Sequence, residues 1–272
     1  MIFPRLEGSD RQPDGRLRLR FEIPAASPFF AGHFPGHPIL PGIAHLALAA
    51  GGAPVAEIST LKLRNPVHPG DVLDLRLNEP GEDGVLRFEL RRGEEPVSNG
   101  VLRLGQPGVE TPGWVVSLQG ATPPPDPRPQ GDTAQPGGFN PRLIPHAPPA
   151  RLVRDVLEAT AESLAGIAEI PPDNPFVQGG LAPAFVGLEA AAQGAAVLEA
   201  LSRKESAGPR IGYLVGIRNA RFRTPSLPAR RPFPFTVRLS GSAPPLSVYE
   251  VAVKGEDGEE LLRGTVNTYL TA

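Results

Sequence analysis

Five histidines and no cysteine limit which side chains can exchange protons near neutral pH. Two of the five share one loop, Gly32-His33-Phe34-Pro35-Gly36-His37-Pro38-Ile39-Leu40-Pro41-Gly42. Its glycines and prolines restrict the backbone, and it runs into the apolar stretch Gly42 to Ala50, which reads as a helix. The free N–H groups at a helix N-terminus can hold a developing oxyanion, which makes Gly42 a candidate carbonyl-binding residue. A histidine held rigidly beside that helix end is a candidate general base, and His33 is the first choice. A plain Gly/Pro turn accounts for the same spacing, so spacing alone leaves both readings open.

The second candidate is Glu189. It lies in a stretch from Ala184 to Leu201 that is otherwise rich in Ala, Leu and Val. Burying a carboxylate there is unfavourable without a purpose. Burial is expected to raise its pKa and keep a proton ready for donation. The alternative is an acidic residue favoured by the helix dipole. Gln193 lies one turn on, on the same face, where it either orients Glu189 or packs. His37 reads as an exposed loop residue. His45, one turn past Gly42, reads as structural and is the understudy for His33. His68, in the turn Pro66-Val67-His68-Pro69-Gly70, and His146 also read as structural. No set of His, Asp and Glu has metal-ligand spacing along the chain, so neither a metal nor a cofactor is expected.

These side chains need elements to position them. Among 272 residues, Lys+Arg is 27 and Asp+Glu is 29, a net charge of -2, which argues against a nucleic-acid binder driven by bulk charge. The absence of cysteine excludes disulfides, Cys-ligated zinc, iron–sulfur sites and a Cys nucleophile. No apolar run is long enough to span a bilayer and the N-terminus has no signal-peptide pattern, so a cytoplasmic protein is expected. Thirty-five prolines and 31 glycines argue against long uninterrupted helices. Many fall in residues 106–139, centred on Pro123-Pro124-Pro125-Asp126-Pro127, which reads as a linker with a Trp114-Val115-Val116 patch. Residues 1–105 and 140–272 then read as two domains.

The two flanks repeat each other. Phe21-Glu22-Ile23-Pro24 through Pro28-Phe29-Phe30-Ala31-Gly32 recurs as Ala168-Glu169-Ile170-Pro171 through Pro175-Phe176-Val177-Gln178-Gly179. Leu61-Lys62-Leu63-Arg64-Asn65-Pro66 matches Ala220-Arg221-Phe222-Arg223-Thr224-Pro225. Each copy reads as a strand, a loop, one apolar helix and several antiparallel strands. Leu73, Leu75 and Leu77 alternate with polar residues, as do Leu86, Phe88 and Leu90, and Val248 to Val253 is nearly all apolar. A helix apolar all round belongs inside, wrapped by its sheet.

The run Phe29-Phe30-Ala31-Gly32-His33-Phe34-Pro35-Gly36, followed by Pro38-Ile39-Leu40-Pro41-Gly42, resembles the signature of the hotdog-fold 3-hydroxyacyl-acyl-carrier-protein dehydratases. The resemblance implies an α+β double hotdog, two antiparallel sheets each wrapped around a central helix and packed as a pseudo-dimer. It assigns His33 as the base, with Phe34, Pro35 and Gly36 supporting it. The family's acidic helix position falls on Ala47, so the first copy lacks the acid. The second copy opens with Leu143-Ile144-Pro145-His146-Ala147-Pro148-Pro149, similar to the family's opening segment, and carries Leu188-Glu189-Ala190-Ala191-Ala192-Gln193, similar to its acid motif. Its loop, however, has shrunk to Gly179-Gly180-Leu181-Ala182-Pro183, with no histidine.

The two defects are complementary. The pattern is similar to the paired dehydratase subunits of aryl-polyene clusters, with Pro183-Ala184-Phe185-Val186-Gly187-Leu188-Glu189 fitting the short-loop type. The implied activity is dehydration of a 3-hydroxyacyl thioester to the trans-2-enoyl product at one site built from His33 and Glu189. The same fold also serves thioesterases and would suit a non-catalytic acyl-binding scaffold. An acyl carrier protein is the implied partner. Arg218, Arg221, Arg223, Arg230 and Arg231 offer either a docking patch or a solvated sheet edge, and the acidic stretch Glu256 to Glu260 could consume them. Further assembly of pseudo-dimers into a homo-oligomer is open.

Overall fold

A computed structural model describes residues 4–105, 139–202 and 212–270. The expected linker, including Trp114-Val115-Val116, lies outside the described residues except for Phe139, which packs partly buried on the core. The first half contains β1 (Arg5–Arg11), β2 (Leu17–Glu22), α1 (Gly42–Ala50), β3 (Val55–Leu63), β4 (Val72–Leu77), β5 (Val85–Arg92) and β6 (Glu95–Leu104). The second contains β7 (Val153–Ala159), β8 (Ser163–Ala168), β9 (Leu181–Pro183), α2 (Val186–Ser202), β10 (Gly212–Phe222), β11 (Ser226–Pro228), β12 (Phe233–Ala243), β13 (Leu246–Lys254) and β14 (Glu260–Leu270).

The elements follow from the sequence pattern. Leu73 and Leu75 of β4, Leu86, Phe88 and Leu90 of β5, and Tyr249, Val251 and Val253 of β13 are buried, every second residue turning inward. Seven of the nine residues of α1 are buried, as an all-round apolar helix requires. Helix α2 packs against β8, β12, β13 and β14. It starts two residues after Ala184, whose N–H donates to the Pro225 carbonyl (3.0 Å).

Twelve strands form one antiparallel sheet in the order β1-β2-β4-β5-β6-β3-β10-β14-β13-β12-β8-β7, and β9 and β11 pair separately. Read from its centre, the large sheet is a palindrome, with β3, β6, β5, β4, β2 and β1 mirrored by β10, β14, β13, β12, β8 and β7. The central pairing has the same symmetry. The repeat equates Leu61 with Ala220 and, three residues earlier, Ile58 with Ile217. The observed partners are Leu61 with Ile217 and Ile58 with Ala220. That reciprocity is the mark of an isologous, two-fold interface, here made within one chain. The architecture is the double hotdog. No helix among the described residues is long and apolar enough to cross a membrane.

Candidate active site

The loop before α1 is built around a tight turn. His37 N–H donates to the Phe34 carbonyl (3.0 Å), with Pro35 and Gly36 between them and Gly36 at φ 76°. Proline at the second position and a positive-φ glycine at the third are what a type II turn requires. Pro35, Gly36 and His37 are exposed. They shape the loop and do not touch the site. On its inner side, His33 and Ile39 bond twice. Ile39 N–H donates to the His33 carbonyl (2.9 Å), and the His33 ring Nδ1 meets the Ile39 carbonyl at 3.0 Å. A carbonyl only accepts, so Nδ1 carries the hydrogen and Nε2 presents a bare lone pair. Burial, together with the charge of His146, pushes the His33 pKa down to about 4 against the pull of Glu189. His33 is therefore a free base at neutral pH.

Glu189 enters from α2 in the other half. Its Oε1 lies 4.0 Å from His33 Nε2. Gln193, one turn along, donates through Nε2 to the same oxygen (3.2 Å) and to the Ala150 carbonyl (2.8 Å), while its Oε1 accepts from Leu152 N–H (2.8 Å). Gln193 thus orients the carboxylate and anchors it to the opening segment of the second half.

That segment supplies a residue the sequence reading took as structural. His146 Nε2 lies 3.2 Å from Glu189 Oε1, and its ring stands edge-on to Phe34 (4.7 Å between centroids, 80°). Phe34 in turn stacks on His33 at 4.3 Å and 22°. The segment is fixed by Ala147 N–H, which donates to the Gly32 carbonyl (3.0 Å). A Cβ on Gly32 would come within 2.1 Å of the Ala147 carbonyl oxygen, so only glycine permits this approach.

The expected protonation of Glu189 is corrected. Burial alone pushes its carboxyl up, but the His146 hydrogen bond, the charges of His146 and His33, and the Gln193 amide outweigh it and hold the pKa at about 2. No set of His, Asp and Glu has metal-ligand spacing along the chain, but in space the fold gathers three such residues. Ligand-capable atoms of His33, His146 and Glu189 lie within 4.8 Å of one another. A tetrahedral zinc with bonds of about 2.0–2.1 Å would set ligand atoms about 3.4 Å apart. The 4.0 Å His33–Glu189 gap is wider than that. The 3.2 Å His146–Glu189 contact is within hydrogen-bond reach, and the His33–Glu189 gap leaves room for a reacting group between them.

The trio opens into a cavity of ≈390 Å³ between the halves, lined also by Gly42, His45 and Leu63 from the first and by Ala192, Ala196 and Tyr213 from the second. Gly42 begins α1, so its N–H has no intrahelical partner. His45 is buried with Nδ1 on Ser98 Oγ (2.9 Å), and His68 Nδ1 meets the Pro38 carbonyl at 3.3 Å.

Residues 9–101 match the ApeI-like family, described as ApeI dehydratase, and residues 141–272 match the ApeP-like family, described as ApeP dehydratase. The two halves of the chain are thus similar to two different dehydratase families. It is 36% identical over 93 residues to the 3-hydroxyacyl-acyl-carrier-protein dehydratase FabZ of Syntrophotalea carbinolica, a match covering 28% of this chain and 62% of the relative. It is 40% identical over 96 residues to the FabZ of Anaeromyxobacter dehalogenans strain 2CP-C, covering 33% and 62%. The chain thus spans less than two thirds of the length of these curated relatives. Among solved structures, the dehydratase domain of PpsC from Mycobacterium tuberculosis superposes with a TM-score of 0.64 at 18% identity over 100% of both chains. The RzxB dehydratase domain from Pseudomonas fluorescens gives 0.62 at 14% identity over 97% of both. At that identity the likeness speaks to the shared fold.

The ApeI-like half therefore supplies His33, Phe34 and Gly42, and the ApeP-like half supplies Glu189, Gln193 and His146. The mirror position is closed. The space beside Ala47, bounded by Pro183, Phe185 and Pro225, is ≈10 Å³. All five clustered arginines are exposed. Arg231 pairs with Glu256 (2.9 Å) and Arg221 lies 3.8 Å from Glu57. Arg218, Arg223 and Arg230 pair with no carboxylate among the described residues.

Proposed function

We propose that this chain dehydrates a 3-hydroxyacyl thioester to the trans-2-enoyl thioester at one composite site between its halves. The observation that carries the reading is the 4.0 Å approach of His33 Nε2 to Glu189 Oε1, at the wall of the inter-domain cavity. The thioester carbonyl accepts from the Gly42 N–H, which acidifies the C2 proton. His33 Nε2 takes that proton. The C2–H electron pair becomes the C2=C3 bond, and the C3–O pair leaves with the oxygen as Glu189 passes it a proton, releasing water. Each step moves only protons and the substrate's own electrons, and because Glu189 is ionised at rest the proton it passes on must first reach it from a neighbouring group.

A carrier-protein-bound substrate is supported by the names of the FabZ relatives and by the charge of Arg218, Arg223 and Arg230, exposed and unpaired where an acidic carrier could dock. The test is a dehydration and reverse hydration assay on 3-hydroxyacyl thioesters of acyl carrier protein and of CoA. His33→Ala and Glu189→Ala are each expected to lower kcat by at least ~100-fold. Full activity in either variant overturns the composite site. Release of free thiol without enoyl product would instead mark a thioesterase.

A further inference from the structure

The two-residue reading leaves one polar contact at the reacting centre without a task. His146 is 8% exposed, and its one polar contact among the described residues is Glu189 Oε1 at 3.2 Å. Its Nδ1 is buried with no hydrogen-bond partner among the described residues. A buried polar nitrogen is normally paired, so a histidine kept here with one nitrogen idle is held for what the other does.

We infer that His146 is a third functional side chain, whose Nε2 fixes Glu189 Oε1 and holds the proton that Glu189 delivers to the departing hydroxyl. The inference rests on the dehydratase reading above. Three features of the geometry support it. The ring cannot drift, because Ala147 is bonded to Gly32 in the His33 loop (3.0 Å) and Phe34 packs across the imidazole. It lies beside the base, with the two imidazole centroids 5.1 Å apart. And its one polar contact among the described residues is the carboxylate of Glu189. The tautomer of His33 is locked from behind by the Ile39 carbonyl, whereas nothing holds Nδ1 of His146. A proton between His146 Nε2 and Glu189 Oε1 lies within reach of both atoms across 3.2 Å.

The electrostatics agree with the geometry. The charge of His146 holds both the Glu189 carboxyl and the His33 imidazole low. An empty site thus rests with His33 as a bare base and Glu189 as an anion that lacks the proton it must donate. The inferred source is a proton held at His146 Nε2, 3.2 Å from Glu189 Oε1. As the C2–H bond breaks, an N–H bond forms at His33 Nε2. As the C3–O bond breaks, an O–H bond forms with the proton passed from His146 through Glu189. The product state holds His33 protonated, His146 neutral and Glu189 anionic, with water and the enoyl thioester. His33 then returns its proton through a bridging water and Glu189 to His146, which restores the start.

The test compares wild type, His146→Gln and His146→Leu on a 3-hydroxyacyl thioester. Glutamine reaches the Nε2 position and can hold Glu189 with its amide, but it carries no transferable proton. Both variants are expected to lose kcat by at least ~100-fold while KM stays within about threefold of wild type. A His146→Gln enzyme whose kcat lies within about threefold of wild type overturns the inference and leaves the dehydratase reading intact. Lack of turnover by the wild type instead overturns that reading. Should the variants fail to fold, ¹⁵N NMR of ring-labelled histidine in otherwise intact protein gives a second measure. One ring-nitrogen resonance other than that of His33 is expected to move on Glu189→Gln, and its staying put overturns the inference.

Discussion

At the scale of single residues, burial and partnership set the chemistry. His33 has one nitrogen committed to the Ile39 carbonyl and the other left bare, so a fixed tautomer makes it a base without any proton rearrangement. Its lowered pKa of about 4 has a kinetic consequence. The acid limb of kcat/KM, which reports the free enzyme, is expected near pH 4 and not near the ordinary histidine value of 6.5. Initial rates from pH 7 down to the edge of folding, with the fold checked by circular dichroism, would test this. A limb at 6.5 would mean that His33 is solvated as it is not here.

At the scale of elements, the site depends on two loops held backbone to backbone. Gly32 sits at φ 75° under the Ala147 carbonyl, in a conformation and a space that no other residue tolerates. Gly32→Ala is expected to destabilise the fold by about 2–4 kcal/mol through backbone strain and displacement of the opening segment. Activity should fall further than stability does, because the displacement moves His33 and His146 together. Thermal melts and kcat on the same sample would separate the two effects. A melt unchanged from wild type would show the clamp to be dispensable.

The same clamp explains what the sequence could and could not disclose. That His33 and Glu189 are candidates was legible because each sits in a short contiguous motif, and the helices and β4, β5 and β13 were legible because their periodicity is local. His146 was not legible as a site residue. Its task depends on a contact between segments far apart in the chain, and no local pattern records that Ala147 lies on Gly32. The state of Glu189 was misjudged for the same reason. Burial was inferable from its apolar helix, but the neighbour that reverses the effect of burial was not.

At the scale of the whole molecule, the buried histidines link proton uptake to stability. His33 and His45 both sit at about 4 in the fold, burial being the largest cause for each. The unfolded chain takes up protons near 6.5, whereas the native chain does not do so until about 4. Stability is therefore full above pH 6.5 and falls as the pH drops through that window, by about 1.4 kcal/mol per pH unit for each group. Glu189, at about 2 in the fold against 4.5, adds a further loss below pH 4.5. His45→Asn, which keeps a polar partner for Ser98, is expected to roughly halve the slope between pH 6.5 and 4.5 in denaturant titrations. An unchanged slope would exclude His45 as a source.

The palindromic sheet has a consequence for dosage. Were the halves separate, each could also pair with itself. Two histidine loops would then meet with no carboxylate, or two carboxylates with no histidine loop, and every such pairing would sequester material in an inert complex. Carried on one polypeptide, the two are made in equal number and meet at a local concentration that dilution in the cell does not lower. Covalent union thus takes the place of the recognition code that separate subunits would need to avoid themselves.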